Sequence, residues 1–263
     1  MLATLRTVLF QIPAVSLATV VCGSLSLLAA VVFRSGEAAH RVARFWARFI
    51  LWICRVQVKF SGLEGLDGSR NYVFASNHQS LFDTPILFAG LPFSFRILYK
   101  QSLQAIPFLG WHLKFSGHIA VDRGNAVRAR RSLDRAALRV RQGTSVVVFP
   151  EGTRSRDGSL LRFKTGSFLL AVKAGVPVVP VTITDSRRVM RRGQVTVYPG
   201  TVRVTLDRPI AVDAFDEQSA SRLAEMVREV VARNDRLPAL AGELRAESPI
   251  GNHHPGGLTS AGR

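Results

Sequence analysis

Tyr72-Val73-Phe74-Ala75-Ser76-Asn77-His78-Gln79-Ser80-Leu81-Phe82-Asp83-Thr84-Pro85-Ile86-Leu87-Phe88 joins a strand-like apolar run to a helix-like one through a polar, ionisable island. Five residues of straight helix turn through about 500°, leaving His78 and Asp83 about 140° apart, so both cannot face one substrate from a continuous helix. His78 therefore belongs to a loop and Asp83 to a helix entrance. Pro85 supports this, because proline is tolerated in a first helical turn and not in a helix interior. In that geometry the chain can fold back, with Asp83 accepting a hydrogen bond from one imidazole nitrogen and the other nitrogen free to act as a base. The bland alternative makes Asp83 a simple N-cap and His78 a polar loop residue.

Outward from this stretch, β-rich runs recur at residues 56–60, 72–76, 96–100, 118–122, 145–149 and 178–184, with two more at 194–198 and 202–206 expected to extend the same sheet. Helical patterns lie between several of them, at 125–142, 165–174 and 217–234. Strands alternating with helices predict an α/β fold with a mixed, partly parallel sheet flanked by helices. The helix over 125–142 carries Arg128, Arg130, Arg131, Arg135, Arg139 and Arg141, expected to be mostly a solvated face leaning on anionic lipid or an acidic acyl carrier.

The run Ser145-Val146-Val147-Val148-Phe149 leads into Pro150-Glu151-Gly152-Thr153-Arg154-Ser155. These residues emerge at a strand's C-terminal end, where α/β sheets place their ligands. Gly152 permits close backbone approach, Thr153 offers a hydroxyl, and Arg154 offers a planar fork suited to phosphate. Lys164 adds a point charge on the rim. A turn with an incidental ion pair between Glu151 and Arg154 is the competing reading.

The chain has 263 residues and a formal net charge of +17, which implies an anionic partner without saying which. No charged residue falls between Arg6 and Arg34, a stretch longer than the roughly 20 apolar residues needed to cross a hydrocarbon core. A signal peptide, with its apolar core of about 7 to 15 residues, fits less well. Pro13 and Gly23-Ser24 make a kinked or re-entrant helix compete with a straight span. After the turn at 34–37, Phe45, Trp46, Phe49 and Trp52 interleave with Arg41, Arg44, Arg48 and Arg55, as in a helix lying at headgroup level with its arginines reaching phosphate. An amphipathic helix packed on the domain is the alternative. The larger basic group after the apolar segment puts the main domain on the cytoplasmic face of the cell (inner) membrane. Residues 1–57 are thus expected to be a membrane-embedded two-helix anchor, 58–236 the α/β domain, and 237–263, rich in Pro and Gly, a disordered tail. Cys22 and Cys54 lie in apolar surroundings without metal-ligand spacing and read as buried thiols.

With these residues in place, the chain resembles the PlsC-type glycerolipid acyltransferases, most of all the 1-acyl-sn-glycerol-3-phosphate acyltransferases. Four segments match in order: His78 to Asp83; Gly117-His118-Ile119-Ala120-Val121-Asp122-Arg123; Phe149 to Ser155; and Val176-Pro177-Val178-Val179-Pro180-Val181. Lys100, followed by Leu103, Ile106-Pro107 and Gly110, adds a fifth feature. The resemblance implies that His78 is the general base, Asp83 orients it, and Arg123, Glu151, Gly152, Thr153, Arg154 and Lys100 surround the acceptor. It further implies a lysophospholipid acceptor, acyl-CoA or acyl-carrier protein as donor, and no metal or other cofactor. Backbone amides at the start of the helix after Asp83 are the expected oxyanion donors. The expected reaction is acyl transfer to the sn-2 hydroxyl of 1-acyl-sn-glycerol 3-phosphate, giving phosphatidic acid. A lyso-ornithine lipid or another lysophospholipid as acceptor is the near alternative. A serine hydrolase is disfavoured by the lack of a Gly-x-Ser-x-Gly elbow. A non-enzymatic basic membrane adaptor would leave both polar blocks unexplained, and no nucleic-acid-binding motif is present.

Overall fold

Seven strands form one mixed sheet in the computed structural model, which describes residues 2–33, 36–106, 109–122 and 124–246. They are β1 (Val56–Ser61), β2 (Val73–Ser76), β3 (Phe95–Lys100), β4 (Ile119–Val121), β5 (Ser145–Val148), β6 (Val178–Thr184) and β7 (Gly200–Leu206), in the spatial order β1-β7-β6-β2-β5-β3-β4. The strands from β6 to β4 in that order are mutually parallel, so their C-terminal ends share one edge. β7 meets β6 antiparallel and pairs with β1 in parallel. The mixed α/β sheet expected from the sequence is the one observed.

Period-two alternation divides the core. Phe74, Val147, Val179, Val181 and Ile183 face one side, against the helices α3 (Gly36–Ile53) and α4 (Asp83–Gly90). Val73, Ala75, Val146 and Val148 face the other, against α6 (Ala126–Arg141), α7 (Gly166–Ala174) and α9 (Ala220–Ala246). Phe74, Ile86 and Leu223 are completely buried, each burial contributing about 1.5–3 kcal/mol. Asn125 caps α6 by accepting from the Val127 and Arg128 amides.

The N-terminal segment is one helix over Leu2–Phe33, long and apolar enough to cross a membrane by length and composition. It consists of α1 (Leu2–Arg6), a π-helical stretch (Thr7–Gln11) and α2 (Ile12–Phe33). The Ile12 amide donates to Thr7 O, a wider turn that takes up the ring and missing N–H of Pro13 without a break. Gly23-Ser24 stays helical. The buried stripe Ala18, Cys22, Ser26 and Ala30 meets Ala39, Ala43 and Ala47 of α3, small residues that let two helices approach closely. Trp46 Nε1 donates to Thr19 Oγ1 at 3.0 Å across this seam. Leu17, Val21, Leu25 and Leu28 remain exposed on the outer flank of α2, and Phe45 and Trp52 on α3. α3 is therefore amphipathic and packed on the domain while keeping an aromatic outer face. Arg44 and Arg48 do not point outward for headgroups: they donate to Leu91 O and Ala89 O, satisfying carbonyls at the C-terminal end of α4.

Two expectations are corrected, on residues 194–198 and on the chain past Leu237. Residues 194–198 are not a strand, because the amide of Val197 donates to Thr7 Oγ1 (3.1 Å) and its carbonyl accepts from Arg6 Nη2 (3.1 Å), so the N-terminal helix takes the groups a ladder would need. The arginines of α6 are exposed, as expected of a solvated face, and several also pair locally: Arg128 with Asp122, Arg130 with Glu217, while Arg139 and Arg141 donate to the carbonyls of Gly117 and Lys173. The chain stays helical past Leu237, since α9 runs through Pro238 to Ala246, and residues 247–263 lie outside the described residues. Cys22 and Cys54 are buried free thiols, as expected, and burial pushes Cys54 up to about 11.

Buried imidazoles make this fold acid-sensitive. His40 on α3 packs against Phe88 and edge-on to Phe95, and burial, followed by the Arg96 and Arg44 charges, holds it down at about 4. Burial also holds His118 down at about 3. The unfolded chain binds these protons near pH ~6.5 and the folded chain does not, so stability is full above that value and falls as pH drops toward about 4. His40→Phe is expected to recover about 1–3 kcal/mol of the stability that wild type loses between pH 7 and pH 4. Denaturant midpoints of the two proteins at both pH values measure it, and parallel pH dependences would refute the assignment to His40.

Candidate active site

The site grows from the register of two neighbouring strands. Ala75 of β2 lies opposite Val148 of β5, and continuing that pairing brings His78 level with Glu151. The chains are tied there: His78 N donates to Glu151 Oε1 at 2.7 Å, and Ser155 N donates to His78 O at 2.9 Å. On the other side, the completely buried Asn77 imitates a strand residue toward β6, accepting from Ile183 N (2.7 Å) and donating to Ile183 O (2.9 Å). The backbone at His78 is thus held from both neighbouring strands.

Asp83 opens α4, but its carboxylate reaches backward. Oδ2 accepts from the amides of Gln79 (2.7 Å) and Ser80 (2.8 Å) and lies 2.8 Å from His78 Nδ1. The Asp83 side chain is 0% exposed and that of His78 19%, so the ring shields its partner and offers its far edge to solvent. With Nδ1–H donating to a carboxylate, Nε2 carries the lone pair. Phe149 lies against the imidazole, ring centroids 4.1 Å apart and planes 21° from parallel. The fold-back geometry expected from the sequence is the one present. Asp83 is not an N-cap, since the amides it takes precede it.

Glu151 turns its carboxylate inward. It is buried, with Oε1 on the His78 amide and Oε2 on the Leu161 amide at 3.1 Å. Burial pushes its carboxyl up, and the hydrogen bonds from the two amides act against that. Its work is to fix the loop carrying His78. Gly152 follows in the left-handed region at φ +73°, closing a turn in which its amide donates to Phe149 O and Pro150 presets the second position. Thr153 is exposed and Arg154 half-buried. Arg192 donates to Arg154 O and Arg187 to Arg156 O, so four arginines gather along this loop. Lys100 is exposed at the end of β3 on the same sheet edge, and Lys164 is exposed with its amide donating to Pro150 O. Arg123 lies outside the described residues.

The amides leading into α4 are engaged within the loop. Gln79 and Ser80 donate to Asp83 Oδ2, Phe82 N to Ser80 Oγ, and Asp83 N to Ser80 O. Sequence reasoning passed over Asn77, Phe149 and Ser80, whose hydroxyl donates to Met190 O at 2.9 Å. Asn77 carried a readable signal: a carboxamide next to the loop histidine can imitate one peptide group toward a neighbouring strand.

Residues 57–184 match the Acyltransferase family model. The 1-acyl-sn-glycerol-3-phosphate acyltransferase of Pseudomonas aeruginosa is 31% identical over 252 residues, covering 94% of this chain and 93% of that protein. The chloroplastic 1-acyl-sn-glycerol-3-phosphate acyltransferase BAT2 of Brassica napus is 35% identical over 191 residues, 71% of this chain but only 55% of the plant protein, so this chain spans about half of that relative's length. Among solved structures, the 1-acyl-sn-glycerophosphate acyltransferase PlsC of Thermotoga maritima is similar with a TM-score of 0.74 at 29% identity, covering 94% of this chain and 99% of that one.

Proposed function

Because this chain belongs to the PlsC-type glycerolipid acyltransferase family, we propose that it moves a fatty acyl group from an acyl thioester to the sn-2 hydroxyl of 1-acyl-sn-glycerol 3-phosphate, giving phosphatidic acid at a membrane. The observation that carries the reading is the His78–Asp83 pair at 2.8 Å, buried on the carboxylate side and open on the Nε2 side, beside a loop rich in arginine.

Asp83 holds the imidazole with Nδ1–H inward, so Nε2 takes the proton of the acceptor hydroxyl. The hydroxyl oxygen bonds to the thioester carbonyl carbon, the carbon–sulfur bond breaks, and the leaving thiolate recovers the proton from Nε2. No protein-bound acyl group is needed, in keeping with the two cysteines being buried thiols. Arg154 supplies the fork for the acceptor phosphate, with Thr153 and Lys100 as further contacts at the same sheet edge; the family resemblance adds Arg123. Acyl-CoA or acyl-carrier protein is the donor. The exposed apolar flank of Leu2–Phe33 and the aromatic outer face of α3 support attachment to anionic membrane lipid. The basic excess after the apolar helix supports the cytoplasmic face of the inner membrane.

Acyl transfer by purified membranes to a panel of lyso-acceptors tests the reading, and it fails if the phosphorylated acceptor is not preferred. Arg154→Ala is expected to raise the apparent KM for that acceptor about ten- to hundredfold, the worth of one charge-assisted contact, with little change for the donor. The reverse pattern would move Arg154 to the donor side.

A further inference from the structure

Phe149 precedes the turn that carries Glu151 and Arg154, and the chemistry above gives it no part. It is half-buried, packs on the core cluster beneath α4, and lays its ring nearly parallel to the His78 imidazole at 4.1 Å. The stack does not follow from the strand register alone. The His78 backbone is fixed by Glu151 and Ser155, its Nδ1 edge by Asp83, and only the face of the ring is left for Phe149 to define. Among the described residues, no other hydrogen bond resists rotation of the imidazole about the Nδ1–Asp83 contact.

We propose that Phe149 is a positioning residue that acts through His78: its π face fixes the tilt of the imidazole and stabilises the imidazolium formed when Nε2 takes the hydroxyl proton. An aromatic face attracts a cation within about 6 Å of its centroid, and the ring lies well inside that range. The neutral imidazole gains only the packing, so the attraction grows as the proton transfers, which favours the transition state over the ground state. The inference rests on His78 being the base.

The test compares Phe149→Leu, which keeps apolar bulk over the imidazole but removes the π face, with Phe149→Tyr and Phe149→Trp, which keep it. Membrane-bound full-length protein is assayed for kcat, both KM values and the pH dependence of kcat/KM. Phe149→Leu is expected to lower kcat about three- to tenfold with both KM values unchanged. Its acid limb should move about 0.5–1 unit to lower pH, because an imidazolium without the ring is a stronger acid. The Tyr variant should restore the wild-type limb, and the Trp variant should place it at or above the wild-type pH. In a His78→Ala background, Phe149→Leu should have no further effect on residual turnover. An unmoved acid limb in Phe149→Leu, or a Tyr variant as impaired as the Leu variant, would overturn the inference. If the Leu variant does not accumulate, a Trp variant with its limb below wild type does the same. Full activity of His78→Ala would remove the underlying reading instead, and the two failures are told apart by that single variant.

Discussion

His78→Ala is expected to lower acyl-transfer turnover at least ~100-fold while the protein still fractionates with membranes. The size follows from what the side chain supplies. A positioned general base contributes about 10²- to 10⁴-fold, and Nε2 is the one edge of this imidazole left open by Asp83, Phe149 and the backbone ties. The fold should survive, because the bonds that shape the loop run through the His78 backbone, through Asn77 and through Asp83, none of which alanine removes. Turnover of the variant on the lyso-acceptor panel, with membrane fractionation as the control, is the measurement. Full activity would sink the mechanism.

Asp83→Asn is expected to cost about 10²- to 10⁴-fold in kcat, the size seen when the orienting carboxylate of a hydrolase triad is lost. The carboxylate accepts from three donors through Oδ2 alone: the ring Nδ1–H and the amides of Gln79 and Ser80. An asparagine that keeps these three donors on its oxygen puts its NH2 group in the place of Oδ1, which is buried and has no partner among the described residues, and it lacks the negative charge that stabilises the imidazolium formed as Nε2 takes the hydroxyl proton. Apparent KM values should change little, since nothing in the acceptor site contacts Asp83. Raising the pH should not recover the rate, because the missing charge acts on the imidazolium formed during the reaction and not on the resting ring. A loss below about tenfold would mean that Asp83 only shapes the loop.

Both expectations come from one short stretch of chain, and the reasons it was readable are local. Proline at 85 and the helical angle between residues 78 and 83 forced a loop-then-helix geometry before any contact was known. The central strands were equally legible, since Val73 to Ser76, Ser145 to Val148 and Val178 to Thr184 are apolar runs bounded by polar turns. The run at 194–198 has the same appearance and is not a strand. Its backbone partners, Thr7 and Arg6, lie about 190 positions away in sequence, and no local pattern shows that a helix will claim them. Arg44 and Arg48 misled for the same reason, because aromatic–basic mixing looks alike whether a guanidinium meets a lipid phosphate or the last carbonyls of a neighbouring helix.

Glu151 marks the boundary most clearly. By its sequence it is an acidic residue beside a glycine and an arginine at the end of a strand, a pattern compatible with facing a ligand. Which way its carboxylate points is decided by the pairing of β2 with β5, which brings two unpaired amides, those of His78 and Leu161, within reach of its two oxygens. Burying the carboxylate is unfavourable, and the bonds it accepts from two amides that would otherwise lack partners offset that cost, so the side chain turns inward. The sequence by itself determined the alternating strands and helices, the apolar N-terminal helix, and a histidine whose only plausible orienting group is five residues on. These depend on periodicity and on steric limits of single residues. Only the tertiary structure decided what surrounds that histidine: Asn77 and Glu151 as ties to two neighbouring strands, Phe149 against its face, and the Gln79 and Ser80 amides spent on Asp83. Each of these depends on strand order, and strand order is fixed by long-range packing that no single segment encodes.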